Sequence, residues 1–92
     1  DPHIDYRAPD DWYEMWADQT SSTVEGTDAT LNAFLSGEEA PTDADIERLL
    51  ALYDEEIAYT DDQIGRLLAG LETTHPEQPT IVGVIGDHGE GL

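Results

Sequence analysis

Ninety-two residues suffice for one small domain, but a chain of that size buries only about 60–65% of its unfolded surface, so a marginal core is expected. Twenty-two acidic residues stand against three arginines and no lysine, a formal charge of −19; such a field excludes nucleic acid and anionic membranes as partners. With no cysteine, disulfides cannot reinforce the core and the redox compartment is left open, and no apolar run approaches the ~20 residues of a membrane span.

A charge this large destabilises a compact state by self-repulsion, and salt relieves it by screening. The composition therefore suggests a halophile-like acidic protein, soluble, and cytoplasmic or exported in a high-salt setting. An acidic disordered tail fits poorly with two tryptophans, four tyrosines and a well-patterned helix. The chain starts at Asp1 with neither an initiator Met nor a signal peptide, which suggests a piece of something longer.

In chain order, residues 1–16 read as a loop followed by a short helix. Pro2 and Pro9 bias their preceding residues away from helix. His3 lies between them with Asp1 and Asp5 nearby, and the bland reading is an exposed loop histidine kept partly protonated by those acids. Asp10 can cap a helix over Asp10 to Ala17, placing Trp12, Met15 and Trp16 on one packing face, with Tyr13 and Glu14 outward.

Residues 17–41 are rich in Ser, Thr, Gly and acids, as expected of a variable acidic surface loop. Thr27 or Asp28 can cap a turn or two carrying Leu31, Phe34 and Leu35, with Gly37 stopping it. The acidic clusters lack the spacing of a calcium loop, so a solvated surface is the better reading.

Residues 42–73 form the clearest element. Thr42 and Asp45 make a near capping box after Pro41. Ile46, Leu49, Leu50, Tyr53, Ile57, Ile64, Leu67, Leu68 and Leu71 recur at intervals of three and four, predicting one continuous apolar stripe on a helix about 45 Å long. Asp61 interrupts the stripe and is expected to be a structural, hydrogen-bonded residue. Gly65 is expected to allow close packing against another element. Thr73 to Pro79 then turns the chain, with His75 exposed.

Residues 80–86, Thr-Ile-Val-Gly-Val-Ile-Gly, are apolar and β-branched and predict a buried strand whose carboxyl end presents the loop 87–92, Asp-His-Gly-Glu-Gly-Leu. Open α/β sheets keep their sites at such ends. A carboxylate and a neutral imidazole are both ligands for a divalent metal, and Gly89 permits the bend that would turn Asp87 and His88 toward one ion. The alternative is that Asp87 caps a turn and His88 is a solvated loop residue. The pattern as a whole predicts an α/β fold in which one long helix crosses over to one buried strand. That strand requires ladder partners outside these residues or in a second copy.

Three ordered blocks carry a resemblance: Asp1-Pro2-His3-Ile4-Asp5-Tyr6 with Pro9; Leu52-Tyr53-Asp54-Glu55-Glu56-Ile57-Ala58-Tyr59-Thr60-Asp61 with Ile64-Gly65-Arg66-Leu67-Leu68; and the apolar run ending in Asp87-His88-Gly89-Glu90. Together they resemble the sulfatase family of the alkaline phosphatase superfamily, over roughly the first sixteen and the last forty-five residues. The resemblance implies a partial catalytic domain within an α/β/α sandwich, cleaving small-molecule or saccharide sulfate esters. It implies a divalent metal, Ca with Mn or Mg as alternatives, held in part by Asp87 and His88, and a sulfate-contacting role for His3. Asp61 would belong to the signature without binding metal, and Glu90 would continue the motif without touching it.

The family's formylglycine nucleophile, made from a Cys or Ser in a Cys/Ser-x-Pro/Ala-x-Arg motif, has no counterpart here, and no lysine matches the sulfate-contacting ones. The chain alone is therefore expected to be inactive and to need the remainder of its catalytic domain, or to self-associate. His88 follows Asp87 where many sulfatases have Asn, which keeps a phosphoryl-ester hydrolase or a phosphoethanolamine or phosphoglycerol transferase of the same superfamily as the alternative. A non-catalytic acidic domain that binds cations or presents the long helix to a partner is the reading from a different class.

Overall fold

The computed structural model describes residues 2–91. Asp1, invoked above beside His3, and Leu92, which closes the last loop, lie outside the described residues. Two single-turn 3-10 helices, Asp10–Trp12 and Ala17–Gln19, precede helix α1, Asp28–Ser36, and helix α2, Asp43–Thr74.

The α/β expectation is overturned: the described residues are helical and irregular, with no strand among them. Residues 80–86 take no regular structure, and Ile81, Val84 and Ile85 are 100%, 84% and 95% exposed. The physical reason is that β structure is a relation between segments. An apolar, β-branched run has the composition of a buried strand, but the other long segment outside the α-helices, residues 2–27, spends its backbone groups on side chains of α2 and supplies no strand beside it, so no ladder forms among the described residues. The crossover from helix to buried strand, and with it the fragment of an α/β/α sandwich, is absent from the described residues.

Helix α2 is 32 residues long, about 48 Å. Its start is fixed by a reciprocal cap: the Asp45 N–H donates to Thr42 Oγ1 at 3.1 Å and the Thr42 N–H donates to Asp45 Oδ2 at 2.9 Å. Of the nine residues that its apolar periodicity marks, the helix buries only Leu49. Ile46, Leu50 and Ile57 are each 43% exposed, whereas Arg48, Leu49, Leu52, Glu55 and Glu56 are buried. These five share a face at helical spacing that overlaps the apolar stripe only at Leu49 and carries three charged groups.

What covers this face explains the charges. It packs against the irregular N-terminal segment, whose backbone brings unpaired N–H and C=O groups inside, and these need partners. Glu55 accepts from the N–H groups of Glu14, Trp16 and Ala17, each at 2.8 Å. Arg48 donates through Nε to the Val24 carbonyl at 2.6 Å, through Nη1 to the Ala17 carbonyl at 3.1 Å and through Nη2 to Glu14 Oε1. Glu56 accepts from the N–H groups of His3, at 2.9 Å, and Arg7, at 3.1 Å.

The same bonds correct the reading of residues 10–17. In place of one capped helix there are two 3-10 turns, and Asp10 caps nothing, since Pro9 occupies the N-cap of the first. The N–H groups that a continuous helix would turn to its own carbonyls go to Glu55 instead, and Glu14 adopts a left-handed φ of 61°. Tyr13 and Glu14, expected outward, face the two arginines: the Arg7 guanidinium lies 4.1 Å from the Tyr13 ring centroid, and Glu14 pairs with Arg48. Trp12 leaves the expected Trp12–Met15–Trp16 face and meets Tyr59 edge-on at 6.1 Å, while Met15 and Trp16 are exposed.

Tyr6, Ala17, Leu49 and Leu52 form the core, with Tyr53, Val24, Leu31 and Phe34 packed around it. Tyr6 and Tyr53 meet edge-on at 5.5 Å. The Tyr6 N–H donates to the Gly26 carbonyl at 2.6 Å, and a Cβ on Gly26 would fall 2.8 Å from that of Tyr6, so this close approach requires glycine. Within 17–41, α1 is capped by Thr27, whose Oγ1 accepts from Thr30 N–H, and is stopped by Gly37 at a φ of 80°.

Beyond Thr60, helix α2 leaves the body of the molecule. Asp61 is exposed and makes no side-chain hydrogen bond among the described residues, and nothing lies within 4 Å of where a Gly65 Cβ would sit. Neither the buried partner expected of Asp61 nor the close packing expected of Gly65 is therefore present. Among the described residues, no helix is long and apolar enough to cross a membrane.

Candidate functional site

The two chain ends meet at one concavity of about 340 Å³, lined by His3, Tyr53, Asp87, His88 and Glu90 among others. All three residues singled out in the sequence, His3, Asp87 and His88, thus share one hollow although His3 and Asp87 are 84 positions apart in the chain.

On the N-terminal side, the backbone N–H of His3 is fixed by Glu56 and the Ile4–Tyr6 stretch leads straight into the core. The imidazole itself is exposed, with Nδ1 2.5 Å from the Ile4 carbonyl. A carbonyl only accepts, so Nδ1 carries a proton; Nε2 donates to an anion only when the ring is the imidazolium. His3 suits contact with an anionic oxygen in that protonation state.

On the C-terminal side, the His88 N–H donates to Asp87 Oδ1 at 3.0 Å, and His88 Nδ1 donates to the Gly89 carbonyl at 2.8 Å. The first bond is the local turn expected of the bland reading. The second fixes the tautomer, leaving the Nε2 lone pair free, and Nε2 stands 3.7 Å from Asp87 Oδ2. One oxygen and one nitrogen donor thus project close together into solvent, a donor set that fits part of a divalent-metal site. Among the described residues no group of three or more His, Asp or Glu gathers as a complete one.

Three residues were missed or undervalued as organisers of this hollow. Glu56 tethers the His3 loop from below. Tyr6, only 2% exposed, donates its phenol O–H to Glu90 Oε2 at 2.6 Å. Burial first, and then the bond to Glu90, push the phenol well above its ordinary range. The adjacent acids Glu55-Glu56 in an apolar helical run, and an acid two residues past Asp87-His88, were the signals available in the sequence.

An apolar hollow of about 170 Å³ lies between Leu31, Phe34, Ile46, Leu49 and Leu50, and another of about 290 Å³ lies under the end of α2 beside Leu68, Leu71 and His75.

Comparison with curated proteins and with solved structures returned no match. The family model described as Sulfatase matches residues 1–92, the whole chain. With every residue of the sequence inside that match, the chain belongs to the sulfatase family.

Proposed function

We propose that this chain contributes part of the active site of a hydrolase that cleaves sulfate esters of small molecules or saccharides, using a divalent metal and a formylglycine nucleophile supplied from outside these 92 residues. The observation that carries this reading is the shared concavity of His3 with Asp87 and His88.

Asp87, through its carboxylate, and His88, through the Nε2 left free by the Nδ1 bond to Gly89, are the residues that would hold the metal, with Ca²⁺ the first choice and Mn²⁺ or Mg²⁺ the alternatives. Bound there, a divalent cation supplies Lewis-acid polarisation of the ester oxygens. His3, as the imidazolium, donates a hydrogen bond to an anionic sulfuryl or leaving-group oxygen, and the tether from Glu56 holds its backbone in place for that contact. The exposed apolar residues Ile81, Val84 and Ile85 would be covered by the remainder of the catalytic domain.

In a protein carrying the complete domain, Asp87→Ala and His88→Ala are each expected to abolish hydrolysis of an aryl sulfate with helix content preserved. Wild-type-like turnover in either variant would remove these residues from the mechanism. The imidazole that follows Asp87 favours, as a second reading, phosphoryl-ester chemistry on the same residues. Comparing kcat/KM for aryl sulfate and aryl phosphate esters decides between the two. A non-catalytic cation-binding domain would instead bind Ca²⁺ weakly and non-selectively, with no effect of Asp87→Ala.

A further inference from the structure

The segment from Pro76 to Gly91 is loosely attached. Every residue from Pro76 to Gly89 is exposed, and Glu90 is the first side chain after the helix to be partly covered. Its hydrogen bonds are local, between neighbours such as Thr80 and Gln78 or His88 and Asp87, with one exception. Among the described residues, the bond from Tyr6 O–H to Glu90 Oε2 is the only hydrogen bond joining this segment to the core.

Tyr6 is well suited to anchor it. Its ring is buried against Tyr53, its N–H is held by the Gly26 carbonyl, and its position three residues after His3 places it at the base of the His3 loop. Glu90 stands two residues after His88. A single charge-assisted hydrogen bond therefore spans the two loops that form the concavity, close to both sides of it.

We infer that Glu90 is a positioning residue: through Tyr6 it holds the Asp87–His88 loop against the His3 loop, setting the distance between the cation-binding and anion-contacting sides of the site. The inference rests on the reaction proposed above for its kinetic consequence, but the tether itself is a property of the chain. Without it, Asp87 and His88 would sit on a loop held by nothing but local turns. A displacement of about 1 Å at a catalytic group costs on the order of 100-fold in rate.

The test has two parts. In the 92-residue chain, NMR order parameters and amide exchange at residues 87–91 are compared for wild type, Tyr6→Phe, Glu90→Ala and Glu90→Gln. The first two variants are expected to loosen 87–91 to the level of residues 80–86. The Gln variant keeps an acceptor carbonyl and is expected to restore most of the order, and Tyr6→Phe/Glu90→Ala combined is expected to be no looser than either single variant. Glu90 lies at the periphery, so its replacement tests the tether even if Tyr6→Phe disturbs the core.

In the complete catalytic domain, Tyr6→Phe and Glu90→Ala are expected to lower kcat roughly 10- to 100-fold, with KM changed much less and with recovery in Glu90→Gln. Unchanged order at 87–91 and unchanged kcat in both Tyr6→Phe and Glu90→Ala would overturn the inference, and inactivity of Asp87→Ala in the same experiment would leave the proposed reaction standing. Loosened loops in these variants alongside full activity of Asp87→Ala would support the tether and remove the reaction.

Discussion

Glu55 and Ala17 lie 38 residues apart in the chain and meet in its interior, where the Ala17 N–H donates to Glu55 Oε1 at 2.8 Å with both residues 0% exposed. The same oxygen takes the Trp16 N–H and the other oxygen the Glu14 N–H. One carboxylate thus replaces the backbone acceptors that a regular helix over residues 10–17 would have provided, and the irregular path of that segment depends on it.

Removing the carboxylate leaves three inward-facing N–H groups without an acceptor, each costing about 1–3 kcal/mol if it stays dry. Glu55→Ala is expected to destabilise the fold by roughly 3 kcal/mol or more, measured as a fall in the urea midpoint. Glu55→Gln retains one acceptor oxygen and should lose less. Because the affected backbone leads into the Trp12–Tyr59 contact, near-UV circular dichroism should fade before far-UV helicity does.

Stability should also fall with acid at the start of α2. The hydrogen bond from Ser22 O–H, followed by the one from Thr42 N–H, holds the Asp45 carboxyl below the usual carboxylate range. A depressed folded-state value binds protons less readily than the unfolded chain, so its contribution is present above the unfolded value of about 3.9 and is lost as pH falls through the folded one. Ser22→Ala should reduce this contribution, and the difference in thermal midpoint between wild type and variant should shrink as the pH is lowered past that window.

Twenty-two acids against three arginines imply that low ionic strength is the hostile condition. Only two ion pairs involve an arginine among the described residues, Arg48 with Glu14 and Arg66 with Asp62, so screening relieves far more repulsion than it weakens attraction. The melting temperature is expected to rise steadily from about 0.01 M to 1 M NaCl, over which the Debye length shrinks from about 30 Å to 3 Å. A flat or falling profile would count against a protein adapted to concentrated salt.

The start of helix α2 was legible because Thr42 and Asp45 interact with each other, a relation contained within four residues. Its buried face was not. Periodicity assumes that apolar residues point inward, but Arg48, Glu55 and Glu56 are buried because a non-regular backbone packs on them, and nothing in the spacing announces such a partner. The segment 80–86 shows the opposite failure, since its composition speaks of burial while the chain provides nothing to pair with it. For the candidate site, residue types in familiar blocks pointed to His3, Asp87 and His88, and what the fold adds is that the three line one hollow. Tyr6 and Glu56 were not, because they act by holding backbone and loops in place, and their partners are identified only by the folded path.

The free portion of helix α2 has a consequence for how the molecule comes apart. From Asp61 to Thr74 the rod runs about 21 Å with little beneath it, and Gly65 and Gly70 each weaken it by about 1 kcal/mol relative to alanine. Without lysine, trypsin has three places to cut. Arg48 is enclosed and Arg7 lies against Tyr13, whereas the Arg66 side chain is 75% exposed on the fraying rod. Limited digestion should therefore begin after Arg66, and that one nick would sever the peptide bearing Asp87 and His88 from the one bearing His3, leaving the carboxyl-terminal piece free to diffuse away.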